Sequence, residues 1–310
     1  MELTNNEILI GLAFTVFVVL MLILDMKVFQ RKAHFPSFKE AAGWSLFWIV
    51  LAFSFNAGVW HWGSPKMGLE FLTGYIVEKS LSIDNIFVFI LIFKYFNTPK
   101  EYQHKILFWG ILGAIVFRIA FIAAGAALIA NFHWIMYVFG AFLVFTAIKL
   151  AVKQETEIHP EKNIVLKIAQ KIFPITKNNE GEKFFIRQDG KLFATPLFLV
   201  LMMIESTDII FAVDSIPAIF GITHDVFIVY TSNIFAILGL RALYFLIAGL
   251  MVKFRYLQTG LSFVLGFIGI KMLVMDFYKI PIHYSLAAIF GILLIAFFAS
   301  LIPEKKKDKQ

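Results

Sequence analysis

The sequence predicts an all-α polytopic membrane protein of about nine transmembrane helices, with two inverted three-helix repeats. Three observations lead to this fold class: composition, the spacing of apolar segments, and an internal repeat of acidic motifs. Hydrophobic residues make up 60% of the 310 residues, charged residues make up 16%, and the mean hydropathy is +0.80. A soluble chain of this length has too little polar surface to cover so apolar an interior.

Apolar segments of roughly 20 residues follow one another along the chain, and this length lets a helix cross the hydrocarbon layer. The first segment, residues 8–24, follows an acidic leader and no small-residue cleavage site comes after it. We therefore expect an anchor rather than a signal peptide. The other segments fall at 41–60, 67–95, 105–128, 133–152, 195–220, 226–250, 258–278 and 283–302.

Basic residues set the expected orientation. Lysine and arginine concentrate in alternate connections and in the C-terminal tail, whereas the opposite side has little beyond Lys66 and Lys279. Because cytoplasmic loops carry the excess of these residues, we expect the N terminus outside and the C terminus in the cytoplasm. The net charge of +7 is explained by these loops, so no nucleic-acid partner is predicted and the lipid bilayer is the expected partner.

Two apolar segments carry the same pattern of polar residues. Residues 77–90 (VEKSLSIDNIFVFI) and 204–220 (IESTDIIFAVDSIPAIF) each contain an acid, five further residues, and then Asp-[Asn/Ser]-Ile. A shift of 130 positions pairs Glu78 with Asp208, Asp84 with Asp214, Asn85 with Ser215 and Ile86 with Ile216. Two such copies indicate one site built from two halves.

The repeat organises the whole chain. We predict two N-terminal helices (1–66), repeat 1 (67–152), a cytoplasmic linker (153–193), repeat 2 (194–278), and a last helix with a basic tail (279–310). Three spans per copy invert the second copy relative to the first, which is a recurrent plan of transporters. The linker mixes charges of both signs and contains the turn signals NNEGEK and RQDGK, so we expect a solvated segment with a short amphipathic helix at 163–173.

Oxygen-bearing side chains in the repeated helices form the predicted cation site. The predicted ligands are Glu78, Asp84, Asn85, Glu205, Asp208, Asp214 and Ser215. Carboxylates are costly in lipid and usually mark an ion pathway. Carboxylate, amide and hydroxyl oxygens without sulfur suit Mn²⁺, Mg²⁺ or Ca²⁺ better than Zn²⁺ or Cu⁺. Pro217 is expected to interrupt the second acidic helix and to free the carbonyl of Val213 as a further ligand.

Structural ion pairs are the alternative explanation for these acids. Arg118, Arg241, Lys79 and Lys271 also lie within spans, and buried charges generally need partners. We expect Arg118 and Arg241 to form supporting ion pairs. The seven histidines show no metal-ligand spacing, although His224 beside Asp225 lies at the predicted outer mouth. Without cysteine or a phosphate-binding loop, we predict neither an enzyme nor a tightly bound cofactor.

The motifs VEKSLSIDNIFVF, ESTDIIFAVDSIPAIF, TSNIFAILGLRALYF and FIGIKMLVMDFY resemble, in this order, those of the TerC family of bacterial integral membrane proteins, most closely its Alx-like branch. The resemblance covers nearly the whole chain. It implies an exporter of manganese ions in the bacterial plasma (inner) membrane, with the acidic motifs as the ion site.

Several alternatives stay open at this point. Ligand chemistry does not separate Mn²⁺ from Ca²⁺ as the transported ion. Protons are the expected counter-ion, because carboxylates gathered in one place can exchange protons for a divalent ion. A membrane partner or a metal-homeostasis or redox modulator without transport of its own is the alternative function, and protein partners are unknown.

Overall fold

The computed structural model describes residues 5–29, 36–152, 160–176, 178–188, 190–248 and 256–301. These residues form eleven α-helices and one short β-hairpin, which confirms the predicted helical membrane fold. The first five helices are α1 (Asn5–Phe29), α2 (Phe38–Gly58), α3 (Pro65–Tyr95), α4 (Lys100–Asn131) and α5 (Ile135–Val152). The others are α6 (Ile164–Ile172), α7 (Pro196–Phe220), α8 (Val226–Leu238), α9 (Leu240–Ala248), α10 (Leu257–Leu273) and α11 (Ile282–Leu301).

Five of the described helices are long and apolar enough to cross a membrane by themselves. They are α2 with the π-helical turn that extends it to Gly63, α4, α5, α7 and α11. Helices α8 and α9 together make a sixth candidate, bent by 41°. The apolar parts of α1 and α10 are shorter, and α3 carries Glu78, Lys79 and Asp84 in its middle. The count of nine spans therefore stays a prediction.

Short polar side chains mark where several helices begin. The hydroxyl of Ser64 accepts a hydrogen bond from the backbone N–H of Met67 at 3.1 Å, and proline follows at the first position of α3. The carboxylate of Asp225 accepts from the N–H groups of Phe227 and Ile228 at the start of α8. Such caps satisfy backbone donors that the helix itself leaves unpaired.

Helices of the two predicted repeats pack against each other in a reciprocal pattern. Helix α3 packs along α8, and α4 packs along α7, so the first helix of each repeat contacts the second helix of the other. The third helices, α5 and α10, pack directly together, with Gly140 and Gly269 at their contact. The contacts are therefore those expected where two units of three helices pack against each other, with equivalent helices in equivalent positions. The inverted repeats and the domain boundaries nevertheless remain predictions.

The expected interruption at Pro217 is wrong, because α7 continues as one α-helix through this residue to Phe220. Proline removes only the bond to the carbonyl of Val213, and the helix ends three residues later, so the disturbance is confined to its last turn. The break instead separates α8 from α9 at Gly239. There the ammonium of Lys79 donates to the carbonyl of Ala236 at 3.1 Å.

The segment before α7 is more structured than the predicted solvated linker. Its amphipathic helix is present as α6, and the side chain of Asn163 caps it by accepting from the N–H of Leu166. Strands β1 (Phe185–Gln188) and β2 (Lys191–Ala194) then form an antiparallel hairpin that the sequence analysis did not predict. The turn signals are confirmed, because Gly181 and Gly190 have φ angles of +57° and +77°.

Candidate cation site

Charged side chains from three helices meet at Arg118. Helix α4 supplies the arginine, α3 supplies Glu78, and α7 supplies Asp208 and Ser215. The guanidinium of Arg118 forms a short ion pair with Glu78 and donates to the hydroxyl of Ser215 at 2.6 Å. Its Nε atom lies 3.7 Å from Oδ2 of Asp208. One arginine therefore joins acids that come from both copies of the repeated motif.

Asn85 extends the cluster around Arg118. Its amide Nδ2 donates to Oδ1 of Asp208 at 3.5 Å, so a residue of the first motif contacts a residue of the second. Glu78 and Asn85 lie on one face of α3, two helical turns apart, and both are buried. Asp208 lies about 18 Å along α7 from Pro196 at 1.5 Å per residue, which is near the middle of the span.

Several buried oxygen atoms of this cluster have no hydrogen-bond partner within the described part of the chain. They are Oε2 of Glu78, Oγ of Ser82, Oδ1 of Asn85 and Oδ2 of Asp208. Ser82, Asn85, Arg118 and Asp208 also line a cavity of about 10 Å³, the space of a single water molecule. Buried oxygens without partners are costly, so this arrangement is suited to accept a water molecule or a cation.

The remaining predicted ligands lie outside this cluster. Oδ1 of Asp214 accepts a hydrogen bond from Thr146 of α5 at 3.2 Å. Glu205 packs against α4 at Gly113, where an added Cβ atom would overlap its carboxylate. Asp84 makes no hydrogen bond or ion pair with other described residues. The structure thus brings together Glu78, Asn85, Asp208 and Ser215, and leaves Asp84, Glu205 and Asp214 in separate surroundings.

The two intramembrane arginines have different environments. Arg118 contacts the acids of the cluster, as described above. Arg241 is the second residue of α9 and lines a separate cavity, where its Nη1 atom lies 3.3 Å from Nδ1 of His104. Arg241 thus lies apart from the Arg118 cluster, and its role as a supporting ion pair stays a prediction.

Sequence reasoning missed three residues near the acids. Gly113 provides the space for Glu205, and Thr146 contacts Asp214. Asn233 in α8 is 0% exposed, and neither its amide oxygen nor its amide nitrogen has a partner among the described residues. It lies one helical turn before Ile237, which lines the small cavity beside Arg118. The signal in the sequence that could have identified Asn233 is its amide side chain within a largely apolar segment.

A larger cavity of about 790 Å³ lies at the opposite end of α7 from the hairpin. Its lining includes Glu70, His224 and Lys271, and Thr223 donates to Oε2 of Glu70 at 2.7 Å. Burial lowers the pKa of His224 below its usual value, although the carboxylate of Glu70 opposes this effect. His224 thus lines this cavity, and its place on the outer side of the membrane stays a prediction.

A hard divalent cation needs several oxygen ligands around one point. Within the described ranges, no three histidine or acidic side chains are close enough to form a metal site as they stand. In the cluster, the guanidinium of Arg118 occupies the position between Glu78 and Asp208. The oxygen donors fit a hard cation, but the two carboxylates are engaged by an arginine in this arrangement.

The helical fold and its buried polar cluster define the class, a multi-pass integral membrane protein. The chain belongs to the TerC family: the description "Integral membrane protein TerC family" matches residues 63–309. An "Uncharacterized membrane protein STKORF319" of Myxococcus xanthus is 51% identical over 292 residues, covering 94% of this chain and 92% of the relative.

Two further relatives carry a different name. Proteins of Salmonella typhi and of Escherichia coli (strain K12), both named "Putative membrane-bound redox modulator Alx", are 48% and 47% identical over 306 residues. Each alignment covers 96% of this chain and 95% of the relative. No solved structure matches the chain.

Proposed function

We propose that this protein is a transporter that exports Mn²⁺ from the cytoplasm across the bacterial plasma membrane, through a site shared by the two repeated motifs. The observation that carries the proposal is the set of buried oxygens around Arg118 that have no hydrogen-bond partner among the described residues. Glu78 and Asn85 come from the first motif, and Asp208 comes from the second. Oxygen donors in the middle of a membrane protein favour a hard divalent cation over Zn²⁺ or Cu⁺.

Charge balance suggests how a cation would enter. Two ionised carboxylates and one guanidinium leave one negative charge, so the cluster attracts a cation. A divalent ion brings two positive charges and takes the place of the guanidinium between Glu78 and Asp208. Arg118 then releases one carboxylate, and its bond to Ser215 can keep it at the edge of the site. When the ion leaves, protons bind the freed carboxylates of Glu78 and Asp208, and their release on the cytoplasmic side lets Arg118 return, which couples export to proton uptake.

The proposal is tested by flux measurements with the purified chain in proteoliposomes. Mn²⁺ and Ca²⁺ are compared with and without a pH gradient, and the gradient is expected to drive Mn²⁺. Asp208→Asn should lower the rate by about tenfold or more, since 1.4 kcal/mol of lost ion binding corresponds to tenfold. Glu101→Gln is the matched control, because this exposed acid lies in the first turn of α4, outside the cluster and outside the large cavity. Equal rates for the two variants would contradict the proposal.

A second candidate is a membrane-bound modulator of metal or redox homeostasis that moves no ion itself. The printed name of the Salmonella and Escherichia relatives favours it. On this hypothesis, proteoliposomes show no Mn²⁺ flux, and deletion of residues 178–193 abolishes the cellular effect through a lost protein contact. On the transport hypothesis, the flux is present and survives that deletion.

A further inference from the structure

Helix α6 has three distinct faces. Successive residues turn by 100°, which groups its side chains into three sectors. The buried sector holds Leu166 and Ala169, the exposed apolar sector holds Ile164, Ile168 and Ile172, and the polar sector holds Lys167, Gln170 and Lys171. The three isoleucines are 71%, 50% and 63% exposed. A helix that contacts only protein and water has one apolar face against the protein and one polar face toward water. The exposed apolar face of α6 is therefore expected to contact something other than water.

The contacts of α6 place it beside a transmembrane helix. At its start, Nδ2 of Asn163 donates to the hydroxyl of Ser206 at 2.8 Å. Just after its end, the ring of Phe173 lies 6.0 Å from the ring of Phe198, centroid to centroid. Ser206 is ten residues from Pro196, which is about 15 Å along α7. Helix α6 therefore runs back along the first half of α7.

The surface beside α6 is also apolar. Ile210 of α7 is exposed one turn beyond Ser206. A cavity of about 430 Å³ opens between α4, α6 and α7, and Trp109, Val165 and Ile209 are among its mostly apolar lining. The exposed stripe of α6 is thus continuous with the outer surface of the helical bundle, which faces lipid in a membrane protein.

We propose that α6, packed along the first half of α7, binds anionic phospholipid in the leaflet at this end of the molecule. The stripe of Ile164, Ile168 and Ile172 contacts acyl chains, and Lys167 and Lys171 contact the phosphate groups. The lysines border the stripe, and long basic side chains reach from apolar surface to the headgroups. This charge complementarity selects an anionic lipid over a neutral one, and over an apolar protein surface.

The full-length chain suits a site-directed label, because its sequence contains no cysteine. A fluorophore on Ile168→Cys is compared with the same fluorophore on Lys191→Cys, an exposed residue of the hairpin. Both proteins are reconstituted in phosphatidylcholine vesicles with brominated acyl chains, which quench by contact. The label at position 168 should be quenched and the label at 191 should not. Equal, weak quenching at both positions would overturn the proposal.

Anionic preference is measured by replacing part of the lipid with brominated phosphatidylglycerol at a fixed mole fraction. Quenching at position 168 should be several-fold stronger than with brominated phosphatidylcholine, and Lys167→Gln with Lys171→Gln should remove this excess. The double variant Lys183→Gln with Lys191→Gln has the same charge change in the hairpin region and should keep it. Size-exclusion chromatography shows that each labelled protein is folded.

Two outcomes would contradict the anionic-lipid surface. Equal quenching by the two lipids in the protein with intact lysines would remove the role of Lys167 and Lys171. Cross-linking of Ile168→Cys between two copies, together with absent quenching, would show that a second chain covers the stripe instead. The test depends on no transport activity, so it stands whether or not the protein exports Mn²⁺.

Discussion

Replacement of Arg118 by glutamine tests the cluster most directly. Arg118 and Glu78 are 1% and 0% exposed, and the guanidinium also lies beside Asp208 and Ser215. Removal of one partner from a buried ion pair leaves uncompensated charge and costs roughly 3–5 kcal/mol. We therefore expect Arg118→Gln to lower the free energy of unfolding by about this amount, measured by denaturation in mixed micelles.

Added Mn²⁺ should restore much of the lost stability. In the unmodified protein the ion must displace the guanidinium, whereas in Arg118→Gln the carboxylates of Glu78 and Asp208 have no competing cation. A ligand at 100 times its dissociation constant stabilises the folded state by about 2.7 kcal/mol. At one Mn²⁺ concentration, the increase in unfolding free energy should be larger for Arg118→Gln than for the unmodified protein.

Two further variants make the result interpretable. Arg118→Gln combined with Asp208→Asn lacks one carboxylate and should lose the response to Mn²⁺. Arg187→Gln, at an exposed position in β1, should behave as the unmodified protein does. The reasoning is refuted if Mn²⁺ stabilises Arg118→Gln no more than it stabilises the double variant, because the two carboxylates would then not bind the ion.

Three other substitutions follow from the contacts. Gly113→Ala should destabilise the fold by roughly 1–3 kcal/mol in the same assay, because the new Cβ atom overlaps the carboxylate of Glu205; an unchanged midpoint would argue against this contact. Asn233→Leu should raise stability by about 1–3 kcal/mol, because it removes a buried amide without hydrogen-bond partners among the described residues; lower stability would show that the amide is satisfied. Burial lowers the pKa of His224, so its stabilising effect is present above about pH 6.5 and is lost as the pH falls; His224→Gln should flatten the acid side of a stability profile, and an unaltered profile would contradict this.

The sequence was sufficient to predict the fold class, because few backbone conformations are stable in lipid. A chain in hydrocarbon must satisfy its backbone hydrogen bonds internally, so apolar segments of this length become helices. The β-hairpin could not be foreseen in the same way. Its strands FIRQ and KLFA have four residues each, too few for a clear alternation. The turn between them was predictable, because Gly190 tolerates a positive φ.

The site was predictable only in part. The helical period shows which residues of one helix share a face, but it does not show which residues of other helices contact that face. Glu78 and Asn85 are seven residues apart, which places them on one face of a helix, and both residues belong to the cluster. Glu205 is about 60° from Asp208 around α7, which is enough for it to contact Gly113 instead. Arg118 and Arg241 occur in similar apolar settings, and only packing decides that the first contacts acids and the second contacts His104.

The contact between α5 and α10 has a mechanical consequence. An added Cβ atom on Gly140 would lie 3.0 Å from the carbonyl oxygen of Gly269, and one on Gly269 would lie 2.8 Å from that of Gly140. The two backbones thus touch at these glycines, with the side chains of Met272, Leu273 and Val144 packed around the contact. If the two halves rotate against one another during transport, this contact is the natural pivot, because the two backbones approach each other most closely at these glycines and cannot separate without loss of packing. A single methyl group at either glycine would push the helices apart and shift the axis of rotation for the whole molecule.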